Sequence, residues 1–559
     1  MNGRIWKCFS TGYLLSLVFS GLILGLADDG VRAEDAGTLE RLVRPTVGDA
    51  APPAPPPTPQ IHVDTVNVTG NTRIGSDEIH AVIDPLIPQA GEEATLVQLQ
   101  KIADTITDLY HAQGYALAKA YLPEQEIQGG VLQIAVREGT IGSVTIEGNQ
   151  FYSSQFIQKH LSRFQDKKAV HDKSLERSML ILNEYSDLKA KGVLRAGSVP
   201  ETTDMVVQVQ DTRPLHVKLD YNNSGSKVVG KHRYGLELYG GNLLGDGSTF
   251  SLRSVLGSES PRKPYWSGSL GIPVGAHGTR VNLVYSRGNF DIGGALAVLD
   301  ITAKTTAWGV AVTHPFIKGR RASLTGEIGI AGEESRQLLF GSIPFSEDRT
   351  RVLHVGLHHD SMDTTGRNLA AVSFYRGLGD ALGGMERDAP RPSRFGANNS
   401  FEKGTLEVMR LQRVTDSLSL TMRGVGQLSS DTLVVGEQFS LGGPNSVRGY
   451  RNGEFLSDNG YSLHAEAQIA PFNDKGFFQA AIFVDQGEGY SKRVPIGEVQ
   501  RVSLSGVGFG IRLNLPYAAP TEDRQKHFSL RADVGYPLED GLLTQEGGST
   551  YYVSLAGWF

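Results

Sequence analysis

Cysteine is almost missing from this chain of 559 residues, because Cys8 is the only one. Its absence after position 8 excludes a disulfide framework, thiolate catalysis and cysteine-bound metal in the rest of the sequence. Positive charge is not in excess either, since 54 Lys and Arg stand against 60 Asp and Glu and the formal net charge is −6. This charge balance indicates no basic surface, and nucleic acid is not predicted as a partner.

Long apolar runs are equally scarce. The run Tyr13–Ala27 follows two basic residues and precedes small residues that end at Ala33, a pattern typical of a secretory signal peptide over residues 1–33. A membrane anchor is the alternative, although the run is shorter than the ~18–20 residues that span a bilayer. No stretch after residue 33 is apolar for long enough to form a membrane helix, so a mature chain that crosses a membrane must do so with strands.

Catalytic motifs are absent as well, because the sequence has no GxSxG, HExxH or Walker A pattern. A hydrolase built from dispersed Ser and His residues is an alternative that the sequence leaves open. His358, His359 and Asp360 adjoin in a predicted strand, where neighbours face opposite sides, so no metal site is predicted there. The glycine-rich segment 506–510 lies in a strand pattern with no helix after it, unlike a nucleotide loop. We therefore predict no enzyme, no catalytic residue, no metal and no cofactor.

The sequence that is present begins, after residue 33, with a short apolar periodicity and a proline tract. Residues 34–45 place three apolar side chains at helical spacing, and Asp49–Gln60 is rich in proline, which is typical of an extended spacer. Residues 34–60 are thus predicted to form a short helix and a linker.

An internal repeat follows over residues 61–138 and 139–212. VNVTGN at Val66–Asn71 corresponds to VTIEGN at Val144–Asn149, and each is followed by two helical patterns and two strands. The predicted helices are Ser76–Leu86, Thr95–Gln113, Ser153–Phe164 and Asp172–Leu188, and the predicted strands are Ala116–Leu122, Val131–Arg137, Val193–Val199 and Asp204–Gln210. This βααββ order, with almost no linker between the units, resembles two α+β POTRA domains. Such sheets have free edges, which can accept an extended partner.

From residue 213 to 559, helical periodicity gives way to short alternating segments separated by Gly, Asn, Asp and Ser. Charged residues such as Glu466, Arg531 and Asp533 recur on the polar face at mid-strand, where they would meet water in a soluble β domain and a wet lumen in a transmembrane barrel. The number of strands, their length and the chain end favour the barrel. An even number of strands, here sixteen, suits a bacterial antiparallel barrel. The terminal Phe559 resembles the aromatic signal by which such barrels are assembled. Sixteen strands are predicted, centred near residues 218, 236, 251, 268, 282, 306, 326, 354, 373, 406, 420, 465, 482, 508, 531 and 555.

The long connection 429–459 lies after the eleventh predicted strand, on the external side if both chain ends are periplasmic. It contains VRGY, with Arg448 among glycines and asparagines. In the strand that follows the twelfth, alternation turns Asp485 towards the lumen, and a guanidinium matches a carboxylate in shape and charge. We hypothesise that Arg448 pairs with Asp485 and holds the loop inside the barrel. The alternative is a mobile surface loop.

Together these parts are similar to the TpsB family of two-partner secretion transporters. The resemblance is carried by VRGY (Val447, Arg448, Gly449, Tyr450), by the later FxDxG (Phe483, Asp485, Gly487), by two POTRA-like units and by sixteen strands. It implies an outer-membrane transporter with periplasmic POTRA domains that exports a large, unfolded partner exoprotein with an N-proximal secretion domain. It also implies the Arg448–Asp485 pair, contact with outer-membrane lipid and insertion by the barrel assembly machinery. A BamA-like assembly factor is the main alternative, and a passive porin is disfavoured because porins lack periplasmic domains.

Overall fold

The computed structural model describes residues 60–88, 93–165, 169–200, 202–225, 230–242, 245–258, 260–292, 298–471, 477–495, 497–516 and 527–559. The predicted signal peptide and, except for Gln60, the predicted helix and linker over 34–60 lie outside this part. The described residues form two compact units, one of residues 60–182 with 189–211 and one of residues 183–188 with 212–559. Among the described helices, none combines the length and the apolar character that a bilayer crossing requires.

The first unit consists of two modules with the same βααββ order. The first module contains β1 (Gln60–His62), β2 (Thr65–Thr69), α1 (Ser76–Ile83), β3 (Glu93–Thr95), α2 (Leu96–Ala112), β4 (Lys119–Tyr121) and β5 (Val131–Arg137). The second contains β6 (Thr140–Glu147), α3 (Ser154–Leu161), α4 (Asp172–Leu182), β7 (Leu188–Ala196) and β8 (Thr202–Asp211). The sheet orders β2–β5–β4 and β6–β8–β7 are equivalent, and β1 and β3 add a separate pair to the first module.

Most of these elements were predicted to within a few residues, but the fourth helix is shorter than predicted. The helical pattern Asp172–Leu188 continues in the structure only to Leu182, and Leu188 already begins β7. Asp187 adopts φ 62°, which lies outside the right-handed helical region. The apolar residues Tyr185 and Leu188, which extended the helical pattern, are buried instead in the turn and in the first position of the strand.

The repeated Gly-Asn turn is closed in the same way in both modules. Gly70 and Gly148 have φ of 82° and 87°, and an added Cβ would overlap the carbonyl oxygen of the paired strand. A carboxylate at the C-terminal end of the last strand of each module then binds the turn. Glu138 accepts hydrogen bonds from the Thr72 N–H (2.5 Å), the Thr72 hydroxyl (2.5 Å) and the Arg73 N–H (2.6 Å).

Asp211 does the same in the second module, where it accepts the backbone N–H groups of Gln150 (2.8 Å), Phe151 (2.8 Å) and Tyr152 (2.7 Å). Each carboxylate thus supplies acceptors for N–H groups that leave the sheet before the first helix begins. The two modules also contact each other, since the Asp172 N–H donates to the Gly114 carbonyl at 2.9 Å.

The second unit is a closed antiparallel barrel of sixteen strands, in which β26 pairs with β9. Each of the sixteen predicted strand centres lies within a different strand of this barrel. The barrel strands are β9 (Leu215–Asn222), β10 (Arg233–Gly241), β11 (Thr249–Gly257), β12 (Ser260–Val274), β13 (Thr279–Ile292), β14 (Ile301–Lys318), β15 (Ala322–Leu339), β16 (Ile343–Met362), β17 (Gly366–Gly377), β18 (Glu402–Arg413), β19 (Leu418–Ser429), β22 (Asn459–Ile469), β23 (Phe478–Tyr490), β24 (Arg501–Pro516), β25 (His527–Pro537) and β26 (Thr550–Trp558). Between β19 and β22 the chain forms the short hairpin β20 (Phe439–Leu441) and β21 (Phe455–Ser457).

The two faces of the barrel strands differ as the alternation predicts. Leu463, Ile482 and Val484 are exposed on the outer face, whereas Glu466 and Asp485 are buried on the inner face. Strand lengths depart from the predicted ~9–11 residues, since β14, β15 and β16 have 18, 18 and 20 residues. Near the external ends of β15 and β16, the ion pairs Arg336–Glu347 and Arg351–Glu334 join the two strands, so the ladder continues beyond the apolar band.

We expect the turn carboxylate of the first module to stabilise it in a pH-dependent way. Burial alone would raise the pKa of Glu138, but hydrogen bonds from Thr72 and Arg73 outweigh burial and lower that pKa below the ordinary value for glutamate. A lowered folded-state pKa stabilises the folded state at neutral pH, and this contribution is lost as pH falls through the folded pKa. Glu138→Gln should therefore cost about 1 kcal/mol at neutral pH, a value reduced for solvent exposure, and much less in acid.

The measurement is urea unfolding of the detergent-solubilised chain, followed by circular dichroism at the helical band, because the described α-helices all lie in the first unit. Glu147→Gln, at an exposed position of β6, is the matched control. An equal loss of stability at neutral and acidic pH would contradict the assignment.

Candidate functional site

The connection between β19 and β22 folds into the barrel. Its tip carries Val447, Arg448 and Tyr450, all of which are buried, and its hairpin β20–β21 packs with the tip in a small apolar cluster. The tip itself, residues 442–453, is rich in glycine and asparagine and adds only Val447 and Tyr450 to this cluster. Its position therefore depends on polar contacts with the inner wall of the barrel.

Arg448 makes the largest set of these contacts, and only 3% of its surface is exposed. Its Nε donates to Asp485 Oδ2 at 2.6 Å and its Nη2 to Asp485 Oδ1 at 2.9 Å, while its backbone N–H also donates to Oδ2 at 3.1 Å. The guanidinium carbon lies 3.4 Å from the centre of the Phe483 ring. The structure thus brings together Arg448, Asp485 and Phe483, three of the residues that the sequence singled out.

Arg448 is also part of a larger ion cluster on the inner wall. Its Nη1 donates to Glu466, and Arg512 links Glu466 (2.9 Å) to Asp533 (2.6 Å). Arg531 completes the group through Asp533 at 2.8 Å. This ion cluster contains three guanidinium groups and three carboxylates, contributed by Arg448, Arg512, Arg531, Glu466, Asp485 and Asp533.

Equal numbers of opposite charges make the burial of this ion cluster possible. An isolated buried ion is costly, whereas ions that are paired and hydrogen-bonded recover much of that cost. Removing Arg448 would leave three carboxylates facing two guanidinium groups. The loop tip therefore supplies the charge that neutralises the barrel wall.

Glycines in the wall make room for the backbone of the tip. A Cβ added at Gly506 of β24 would overlap the Arg448 carbonyl oxygen, and one at Gly535 of β25 would overlap the Gly449 nitrogen. A Cβ at Gly487 of β23 would meet the Leu441 side chain at 2.6 Å. The glycine-rich segment 506–510 thus lies within β24 as part of the surface that receives the loop.

The rest of VRGY is held by the last strand and by the connection before it. The Gly449 N–H donates to the Tyr552 hydroxyl at 3.2 Å, and the Thr550 hydroxyl donates to the Gly449 carbonyl at 2.7 Å. The Tyr450 hydroxyl lies 3.0 Å and 2.9 Å from the carbonyl oxygens of Ser505 and Glu539. All four residues of the motif are therefore seated against the wall.

Phe559 lies elsewhere. It follows β26, its backbone exchanges hydrogen bonds with Val217 at 2.8 and 3.1 Å, and its ring meets Phe528 edge-on at 5.7 Å. Its place is therefore at the closure of the barrel and not in the ion cluster.

The sequence indicated the pair but not the cluster. Glu466, Arg531 and Asp533 stood out as charged residues on the polar face, whereas Arg512 was not singled out. The signal that could have found the cluster is the recurrence of mid-strand charge on four strands near the loop. His358 is buried and the adjacent His359 is exposed, on opposite faces of β16. Within the described ranges, no group of three or more metal-binding side chains is close enough to hold an ion.

A closed sixteen-stranded barrel with an ion-paired loop inside it and α/β modules before it in the chain is the architecture of outer-membrane proteins of the POTRA-barrel type. The family model described as haemolysin secretion/activation protein ShlB/FhaC/HecB matches residues 201–513, and the chain belongs to this family. The model for the ShlB-type POTRA domain matches residues 61–139. The predicted family and outer-membrane location, with POTRA in the periplasm, are confirmed, and the protein is a transporter of a secreted partner protein.

Two individual proteins are similar in sequence to this chain over most of its length. The chain is 20% identical over 483 residues to the heme/hemopexin transporter protein HuxB of Haemophilus influenzae, with 84% of this chain and 82% of that protein covered. It is 25% identical over 490 residues to the outer membrane transporter CdiB of Escherichia coli, covering 84% and 79%.

Among solved structures, CdiB from E. coli matches with a TM-score of 0.74 at 20% identity, covering 91% of this chain and 93% of that one. BamA from Haemophilus ducreyi, lacking POTRA domains 1–3, matches with a TM-score of 0.51 at 13% identity, covering 89% and 100%. The likeness to BamA shows a shared fold.

We expect Arg448→Ala to release the loop tip without opening the barrel. The substitution leaves Asp485 and Glu466 short of a partner, and breaking a buried ion pair from one side costs about 3–5 kcal/mol. The measurement is cleavage of residues 429–459 by proteinase K added to intact cells. Arg451→Ala is the control, because Arg451 lies in the same loop and is exposed. Equal protection of both variants would argue against an anchoring role for Arg448.

We expect Gly506→Ala to displace the same tip by a steric route. A methyl group at this position overlaps the Arg448 carbonyl oxygen, while the charges remain unchanged. Proteinase K should then cleave the loop as in Arg448→Ala, and the barrel should still show heat-modifiable migration in gels. Gly404→Ala, whose Cβ would lie 3.9 Å from the Ser373 carbonyl oxygen, should behave like the wild type. Full protection in Gly506→Ala would show that the wall tolerates a wider spacing.

Proposed function

We propose that both modules of the first unit are POTRA domains, over residues 61–138 and 139–212, and that they capture the secreted partner in the periplasm. The first is supported by the match of the POTRA family model. The second repeats its element order, its sheet order and its carboxylate-bound Gly-Asn turn. Capture would use an extended segment of the partner, added to a sheet edge or laid along a groove between elements.

The barrel of residues 213–559 would then conduct the partner, unfolded, to the cell surface. The observation that carries this proposal is the seating of loop 429–459 by Arg448 in the ion cluster. A loop fixed inside the lumen narrows the conduit of the resting barrel. The periplasm offers no ATP, so folding of the emerging partner outside the cell would give the transport its direction.

Several further features belong to the same proposal. No step of transport requires a catalytic group, so we assign no enzymatic activity and no cofactor. Phe559 is proposed as the aromatic signal read by the barrel assembly machinery, and the apolar outer face as the surface in contact with outer-membrane lipid. Residues 1–33 are proposed as a signal peptide and residues 34–60 as a helix and tether.

The second candidate, a BamA-like assembly factor, shares the barrel fold. The two candidates differ in the consequence of deleting the gene. A transporter that serves one partner loses that one secreted protein, whereas an assembly factor causes a general loss of outer-membrane proteins. Quantitative proteomics of the outer membrane and of the medium distinguishes these outcomes.

We expect Arg448→Ala to reduce secretion of a co-expressed partner exoprotein at least several-fold, because the loop loses the position that shapes the conduit. The measurement is exoprotein in the medium, normalised to the transporter in the outer membrane. Arg451→Ala should secrete at the wild-type level. Normal secretion by Arg448→Ala at normal abundance would remove the role that we assign to Arg448.

A further inference from the structure

Three connections on the external side of the barrel are joined to one another by a single buried carboxylate. They follow the ninth, eleventh and thirteenth barrel strands and comprise residues 378–401, 430–458 and 491–500, of which residue 496 is not described. We call these three connections the outer cap. Loops that cover a barrel mouth are ordinarily mobile and solvated, so a charge buried among them calls for an explanation.

The carboxylate belongs to Asp458, at the root of the loop that carries VRGY, and it is fully buried. Oδ1 accepts from Arg394 Nη1 at 2.5 Å and from the Leu433 N–H at 2.8 Å. Oδ2 accepts from Arg394 Nη2 at 3.3 Å and from the Lys492 N–H at 2.7 Å. Arg394, Leu433 and Lys492 come from three different stretches of chain, one in each part of the outer cap.

Apolar contacts also join the first part of the VRGY loop to the connection 378–401. Leu433 packs with Val352 and Phe401, and Val434 packs with Met385 and Ala397. The first part of the VRGY loop is therefore inserted into the connection 378–401 and is not lying loosely above it.

Hydrogen bonds between side chains and backbone groups also join these connections. The Val435 N–H donates to the Ser393 hydroxyl at 3.0 Å, Arg394 Nη1 donates to the Leu433 carbonyl at 2.8 Å, and Lys492 Nζ donates to the Ser430 carbonyl at 2.6 Å. The outer cap is consequently a packed structure with its own polar and apolar contacts.

Closure of the barrel does not require this packing, because the strands already pair around the full circle. A partner that leaves the barrel on the external side must, however, pass the outer cap. Since one carboxylate holds all three connections, its loss or displacement would free them together. Asp458 acts at the mouth, whereas Arg448 acts against the inner wall, so the same loop has two separate anchors.

We propose that Asp458 is a positioning residue that holds an external gate closed at rest. The gate is formed by the described residues of the outer cap, 378–401, 430–458, 491–495 and 497–500. The inference rests on the proposed transport function for the purpose of the gate. The closed state itself is tested without any partner protein, by ion flow and by the entry of a large antibiotic.

The first test compares Asp458→Ala with the wild type in planar bilayers, with KCl as the probe. We expect the fraction of time spent in conducting states to rise several-fold, and cells that carry the variant to become more sensitive to vancomycin. Asp388→Ala is the control, because Asp388 is an exposed carboxylate in the same outer cap. Heat-modifiable migration checks that the barrel of each variant is folded.

The second test does not depend on removing a buried charge. Ser393→Cys combined with Val435→Cys places two thiols at a joint where the native groups are already hydrogen-bonded, and Cys8 is the only native cysteine. We expect the oxidised double variant to remain closed to KCl, and a reducing agent to restore wild-type openings. Each single cysteine variant should not respond to oxidation.

The gate is rejected if the oxidised double variant conducts as the reduced form does, or if folded Asp458→Ala conducts no more than the wild type. Secretion of the partner exoprotein by the double variant separates the gate from the transport function. Secretion that stops on oxidation and returns on reduction supports both. A chain whose gate responds as expected, but whose wild type secretes no partner, retains the gate and loses the transport function.

Discussion

The burial of one guanidinium group among carboxylates is the interaction on which the inner architecture depends. Arg448 is carried by a glycine-rich loop tip that has few apolar side chains of its own, and its partners stand on strands that would otherwise present unpaired charge to the lumen. The loop thus needs the carboxylates of the wall to pair with Arg448, and the wall needs Arg448 to neutralise those carboxylates. The same dependence explains why glycines at 487, 506 and 535 leave space in the inner wall. The guanidinium group of Arg448 can reach its partners only if the backbone of the loop comes close to that wall.

The periplasmic unit depends on a smaller version of the same principle. In both modules a carboxylate at the end of the last strand accepts hydrogen bonds from N–H groups that lie beyond the sheet. A glycine with positive φ lets the turn approach that strand. The sequence repeat VNVTGN and VTIEGN revealed the turn, while Glu138 and Asp211 lie too far along the chain to be read as part of it. What looked like a short repeat in sequence is therefore a long-range contact in structure.

Much of the fold could be predicted because alternation and helical periodicity are local signals. All sixteen strand centres were recovered, and Asp485 could be turned towards the lumen because its neighbours on the other face are apolar. The ion cluster could not be assembled in the same way, because the meeting of Arg512 with Glu466 depends on the register of strands far apart in sequence. The outer cap was missed for a different reason: residues 378–401 have no periodicity, and the burial of Asp458 depends on two other connections.

The long central strands have a consequence for what happens outside the cell. β14 to β16 exceed the ~10 residues that cross the hydrocarbon layer by roughly eight, which at about 3.3 Å per residue corresponds to some 25 Å of extra sheet along the strand direction. The periplasmic turns of these hairpins are short, so the additional residues extend the β-sheet above the outer leaflet on one side of the exit. A polypeptide that emerges there meets the extended sheet of these strands as well as the outer cap, and its first steps of folding take place beside that asymmetric wall.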